Sequence, residues 1–225
     1  MRKITFLPCL ALAVFLLTSC LGVSMDITMR ANGSGRIVLE YRVSQMLEAM
    51  GRLDGNERWP AIPVGRADME RSVARVPGLR LSSFSARNLP NGMGGSDLVT
   101  RVALDFRDTD ALLAFLDITG ARASFGQQGG RSFLRLVLLD PSPPIDSAEL
   151  LALIKEVSAG YEIRISINVP RRNTNLAAVS LPAAPQHRPG APGFLKLNDG
   201  RTASFSLDTG DIPAITEGLV LEFSW

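Results

Sequence analysis

A strict two-residue alternation over residues 23–43 constrains the fold of this chain more than any other feature. Val23, Met25, Ile27 and Met29 alternate with Ser24, Asp26, Thr28 and Arg30. After Asn32-Gly33-Ser34-Gly35 the pattern resumes with Ile37, Leu39, Tyr41 and Val43. A period of two sends successive side chains to opposite faces of a strand, so this pair has one apolar and one polar face. The glycines of the turn accept positive φ and close the two strands into a hairpin. The chain must therefore build a sheet and find something to cover one side of it.

The rest of the chain follows the same grammar. Ser44 is placed to cap a short helix carrying Met46, Leu47 and Met50, and residues 53–65 read as irregular. Residues 65–76 predict a helix with Met69, Val73 and Val76 inward, stopped by Pro77-Gly78. Residues 79–87 predict a strand whose phase slips near Ser82-Ser83, as a bulge would cause. The glycine-rich loop 91–96 leads to a strand over 98–106. Asp108 or Thr109 then caps a helix carrying Leu112, Leu113, Phe115 and Leu116, closed by Gly120. A second hairpin, 121–126 with 131–139, turns at Gly129-Gly130. Asp146-Ser147-Ala148-Glu149 resembles a capping box for a helix with Leu150, Leu153, Ile154 and Val157.

Residues 161–169 predict a strand with Tyr161, Ile163, Ile165, Ile167 and Val169 inward, and the Pro- and Ala-rich stretch at about 171–193 predicts an irregular loop. A late hairpin, 194–197 with 202–207, and a closing strand over 219–225 complete the pattern. That last strand reads as a core edge strand. The implied class is α+β: a mostly antiparallel sheet of repeated strand–strand–helix units, with helices covering one face.

The amino terminus addresses location. Met1-Arg2-Lys3 is a basic n-region, and residues 4–17 are an apolar run interrupted by Pro8, shorter than the roughly 18–20 residues of a bilayer span. Leu17-Thr18-Ser19-Cys20 follows as a lipobox. The expected organisation is a lipoprotein signal peptide over residues 1–19 and a single extracytoplasmic domain over residues 20–225. Its lipid on Cys20 attaches it to the membrane of a bacterial envelope, the outer membrane if the host is Gram-negative. Two or three acyl chains hold stably where one does not. The first strand starts within a few residues of Cys20, which implies a domain resting close to the bilayer.

Composition then excludes several classes of function. Cleavage removes Arg2 and Lys3, leaving 22 basic residues against 22 acidic ones, a balance that gives no support to nucleic-acid binding. Cys9 leaves with the signal and Cys20 becomes a thioether, so a disulfide, a thiol nucleophile and a cysteine metal site are all excluded.

No catalytic set emerges. Asp208-Thr209-Gly210 is similar to an aspartic-protease loop, but that chemistry needs two such carboxylates sharing a proton. The chain has one copy, and an acidic turn after a strand explains it. Asp105, Asp108 and Asp110 lack the loop that calcium requires. His187 is the single histidine, which precludes a zinc site built with cysteine partners. The loop 91–96 lacks the lysine of a phosphate-binding loop, and Arg171-Arg172 reads as a solvated pair. No metal and no cofactor is expected.

Cys20 followed at once by an alternating strand, Asn32-Gly33-Ser34-Gly35, and the hairpin ending at Tyr41-Arg42-Val43-Ser44 together resemble the LppM-like bacterial lipoprotein family. Residues 161–170 and Asn198-Asp199-Gly200-Arg201-Thr202 are similar to that family's closing strands. The resemblance implies a membrane-attached α+β domain outside the cytoplasm, with lipid or glycolipid binding proposed for some members of the family, and it brings no catalytic residues. The expected function is thus non-enzymatic: a lipid or other hydrophobic ligand bound between sheet and helices by Leu112, Phe115, Leu150, Ile154, Ile163 and Ile165. The alternative is a structural or assembly lipoprotein docking an envelope protein through its sheet.

Overall fold

The computed structural model describes residues 21–44, 65–91, 94–117, 122–170, 178–180, 194–198 and 200–225. Cys20 and the expected helix after Ser44 lie outside them. The elements run β1 (Leu21–Met29), β2 (Gly35–Ser44), α1 (Arg66–Ala74), β3 (Leu79–Pro90), β4 (Ser96–Phe106), α2 (Thr109–Leu116), β5 (Ala123–Gln128) and β6 (Arg131–Leu139). They continue with α3 (Ala148–Val157), β7 (Glu162–Asn168), β8 (Ala178–Ser180), β9 (Phe194–Asn198), β10 (Thr202–Asp208), a 3-10 helix (Thr209–Ala214) and β11 (Leu219–Ser224).

The first hairpin forms as its alternation demands, paired from Leu21 with Val43 to Met29 with Gly35. The phase slip of β3 is a bulge: Leu81 pairs with Leu104 and Ser83 with Ala103, leaving Ser82 as the extra residue. Asp108 caps α2, its Oδ1 accepting from the Ala111 N–H at 2.9 Å. The cap of α3 differs by one residue from the capping-box reading. Ser147, not Asp146, is the N-cap, and its Oγ accepts from the Leu150 N–H at 3.2 Å.

Alternation predicts a single sheet, whereas the strands divide between two. Seven lie in the order β3-β4-β2-β1-β7-β10-β9 and four in the order β5-β6-β11-β8. Pairing is antiparallel except between β1 and β7, which run parallel. The second hairpin thus belongs to the smaller sheet. The closing strand β11 is interior, between β6 and β8, and not an edge. The stretch expected to be a loop at 171–193 contains β8, which pairs with β11.

One core serves both sheets. Across five neighbouring strands, Leu104, Ile37, Ile27, Ile167 and Ala203 form a row, each at most 1% exposed. Leu134, Leu136, Leu219, Leu221 and Phe223 of the smaller sheet join the same cluster, together with Ala111 and Leu112 of α2. Each fully buried aliphatic or aromatic side chain contributes roughly 1.5–3 kcal/mol. α1 packs on β3, α2 on β3, β4 and β5, and α3 on the 3-10 helix. Arg66 of α1 stands over the Phe84 ring, 5.9 Å from its centroid, on the core-facing side of β3.

Candidate functional site

The end of the larger sheet where β1 begins is the region with the most unusual side-chain placement. Leu21 opens β1, so the residue bonded to Cys20 is already in the sheet. The register brings Ser44 and Asp97 together at this same end, and Leu98 next to Val43. Tyr161 immediately precedes β7; expected inward with Ile163 and Ile165, its side chain lies instead on the non-core face, beside Gly22 and Asp97. A Cβ built on Gly22 would sit 3.5 Å from Tyr161 Cδ1, so the ring runs beside the strand that carries no side chain there. Tyr161 Oη donates to Asp97 Oδ1 at 2.8 Å, and Asn91 Nδ2 donates to the same oxygen at 3.0 Å. Both Tyr161 and Asp97 are buried, yet neither belongs to the main core cluster.

The network is also tied to the chain around it. Asn91 Oδ1 accepts from the Gly95 N–H at 2.8 Å, which closes the β3–β4 loop. Thr209 Oγ1 donates to the Tyr161 carbonyl at 3.0 Å and Asp208 Oδ1 accepts from the Gly210 N–H at 3.1 Å. Asp208-Thr209-Gly210 is therefore the start of the 3-10 helix, with its side chains committed to turn and anchor bonds.

Away from that end, the same face carries ion pairs. Arg36 Nε stands 2.8 Å from Asp105 Oδ1, and Arg80 Nη2 3.2 Å from Asp105 Oδ2. The hydrogen bond from Arg36, with further help from Arg80, holds the Asp105 carboxyl below its ordinary range. Asp108 is held low as well, first by the Ala111 N–H and then by Arg107. On the core-facing side Tyr41 is pushed up to about 12. Burial is the main cause, the nearby Thr100 hydroxyl opposes it, and the Asp68 charge adds to it.

The six residues expected to line a ligand site do not all meet. Leu112 and Ile165 are buried in the main cluster, and Phe115 and Ile163 pack against it. Ile154 is buried outside that cluster, and Leu150 is half-buried on the same helix, α3. The Asp97–Tyr161 pair escapes sequence reasoning because its partners are 64 residues apart. Its one signal is an aspartate just before an apolar run, which also reads as a strand start. Arg171, Arg172 and His187 lie outside the described residues. Among the described residues no group of His, Cys, Asp and Glu could hold a metal ion, and no helix is long and apolar enough to cross a membrane.

No family model matches the chain, and no curated relative was found for it.

Proposed function

We infer that the protein is a non-enzymatic bacterial lipoprotein, held at the envelope by acyl chains on Cys20, whose domain works directly at the membrane surface. The observation that carries this reading is the start of β1 at Leu21. A lipobox cysteine followed without a linker by a paired strand leaves no stalk, so an acylated Cys20 puts the sheet itself at the bilayer. In this reading α1 and α2 cover the inner face of the larger sheet, as repeated strand–strand–helix units would have them. The resemblance to the LppM-like lipoproteins agrees with it.

The ligand of this reading is a lipid or other hydrophobic molecule held between the layers beside Leu112, Phe115, Ile163 and Ile165, whereas Leu150 and Ile154 stand on α3, which packs on the 3-10 helix. Support comes from an architecture in which two sheets and α2 share one apolar core. Cavities between packed layers, apolar with a few polar groups, are the usual home of such ligands. Native mass spectrometry of the mature chain tests it: a lipid-sized adduct that survives purification supports the reading, and a bare mass with no shift on adding lipid sinks it.

A second reading, docking of an envelope protein through the sheet, rests on β3. This twelve-residue edge strand has most of its residues exposed, and an open edge accepts an added strand. Crosslinking from β3 that captures one partner reproducibly would favour it over ligand binding.

A further inference from the structure

The row of residues nearest Leu21 on the non-core face is split by charge. Following the register, and extending the β1–β7 pairing of Val23 with Ile163 back by one residue, it reads Asp208, Glu162, Gly22, Arg42, Val99 and Arg87, on β10, β7, β1, β2, β4 and β3. Its two acids lie at the β10 side and its two bases at the β3 side; Asp97, two residues from Val99 on the same face of β4, is an acid at that corner too, but it is buried and accepts from Tyr161 Oη and Asn91 Nδ2. Glu162 is paired with Arg164, and Asp208 is engaged at the start of the 3-10 helix. On that same side Asp211 stands 3.5 Å from Lys155. Arg42 and Arg87 are exposed and have no ion-pair partner among the described residues. Two strand spacings separate them, about 10 Å, with Val99 buried between.

We propose that this end of the larger sheet is a membrane-contacting surface, with the β2–β4–β3 corner rolled down onto anionic lipid and Arg42 and Arg87 against headgroup phosphates. The proposal rests on acylation of Cys20, which fixes the end of the sheet but not the roll about it. The charge split fixes the roll. A negative surface potential attracts each arginine and repels the Asp208 side, and it acts over only about 10 Å. The opposite end of β1, at Met29, is about 27 Å away and beyond its reach. Arginine suits the contact because its planar guanidinium binds phosphate through two parallel hydrogen bonds.

The acylated mature protein offers no other thiol, so single cysteines placed at exposed positions label uniquely. Asn88→Cys marks the β3 corner, Ala159→Cys the side towards β10, and Ala31→Cys the far turn. A fluorophore at each site is read against vesicles carrying a headgroup quencher, in phosphatidylcholine alone and with phosphatidylglycerol added. The expected result is quenching at Asn88 several-fold above that at Ala31, and a rise in the Asn88-to-Ala159 ratio when phosphatidylglycerol is added. Arg42→Gln with Arg87→Gln should abolish that rise and leave the Asn88-to-Ala31 contrast in place.

Equal quenching at Asn88 and Ala31 overturns the proposed end. A ratio that ignores phosphatidylglycerol, or a rise that survives the double substitution, overturns the role of the arginines. Failure of the anchor shows separately. Without acylation, the intact mass lacks acyl chains, Cys20 itself takes the label, and Cys20→Ser fractionates like the unaltered protein.

Discussion

Tyr161 Oη and Asp97 Oδ1 meet at 2.8 Å although 64 residues separate them in the chain, and both residues are only 4% exposed. This bond joins the start of β7 to the start of β4 across the non-core face. Removing the hydroxyl leaves a buried carboxyl with one donor fewer. Tyr161→Phe should therefore lower stability by about 1–3 kcal/mol, a figure set by the desolvation of an under-satisfied buried group. Urea denaturation of the mature domain measures it, and a loss below about 0.5 kcal/mol, the size of a neutral surface change, would remove the bond from any structural role.

The Arg36–Asp105–Arg80 cluster predicts an acid-side effect of definite sign. Asp105 has a folded pKa below its ordinary 3.8, so its contribution is complete above the unfolded value and is lost as pH falls through the folded one. Melting temperatures taken from pH 7 down to pH 2 should fall more steeply below about pH 4 for the unaltered protein than for Asp105→Asn. Both arginines are substantially exposed, so the difference is small and shrinks further in high salt. Parallel curves would show that Asp105 gains nothing from its neighbours in the folded state.

Much of this fold is written locally. The turn at Asn32-Gly33, the bulge at Ser82 and the cap at Asp108 are each decided within a few residues, and each is legible without coordinates. Partner choice is not local. Alternation tells which side of β6 is apolar but not that β6 lies beside β11, or that β7 runs parallel to β1. For the same reason alternation marks the six expected lining residues as inward-facing positions without telling whether they face one another. Leu112 and Ile165 do share a cluster; Ile154 is inward on a helix that packs elsewhere, against the 3-10 helix.

Gly35 offers a test of packing at the first hairpin. A Cβ there would lie 2.1 Å from the Thr28 carbonyl oxygen and 2.2 Å from Phe106 Cζ, so the aromatic ring occupies the space a side chain would need. Neither neighbour can yield cheaply, since one is backbone in the paired strand and the other is a core ring. Gly35→Ala should cost about 2 kcal/mol or more, in the range of core overpacking. The readout is the denaturation midpoint together with soluble yield, and an unchanged midpoint would mean that β1, β2 and β4 are packed less closely than the register implies.

The one-residue displacement of the α3 cap separates two neighbouring side chains that composition alone treats alike. Ser147 Oγ accepts from the Leu150 N–H and occupies the N-cap, whereas Asp146 precedes it. A lost N-cap bond costs about 0.5–2 kcal/mol, so Ser147→Ala should fall in that range. Asp146→Ala should stay within about 0.5 kcal/mol, as for an ordinary exposed position. α3 packs on the 3-10 helix that opens at Asp208, so loosening its first turn should also raise amide exchange there. Hydrogen exchange on the two variants gives the decision: faster exchange at residues 209–214 in Ser147→Ala alone supports the assignment, and the reverse pattern would return the cap to Asp146.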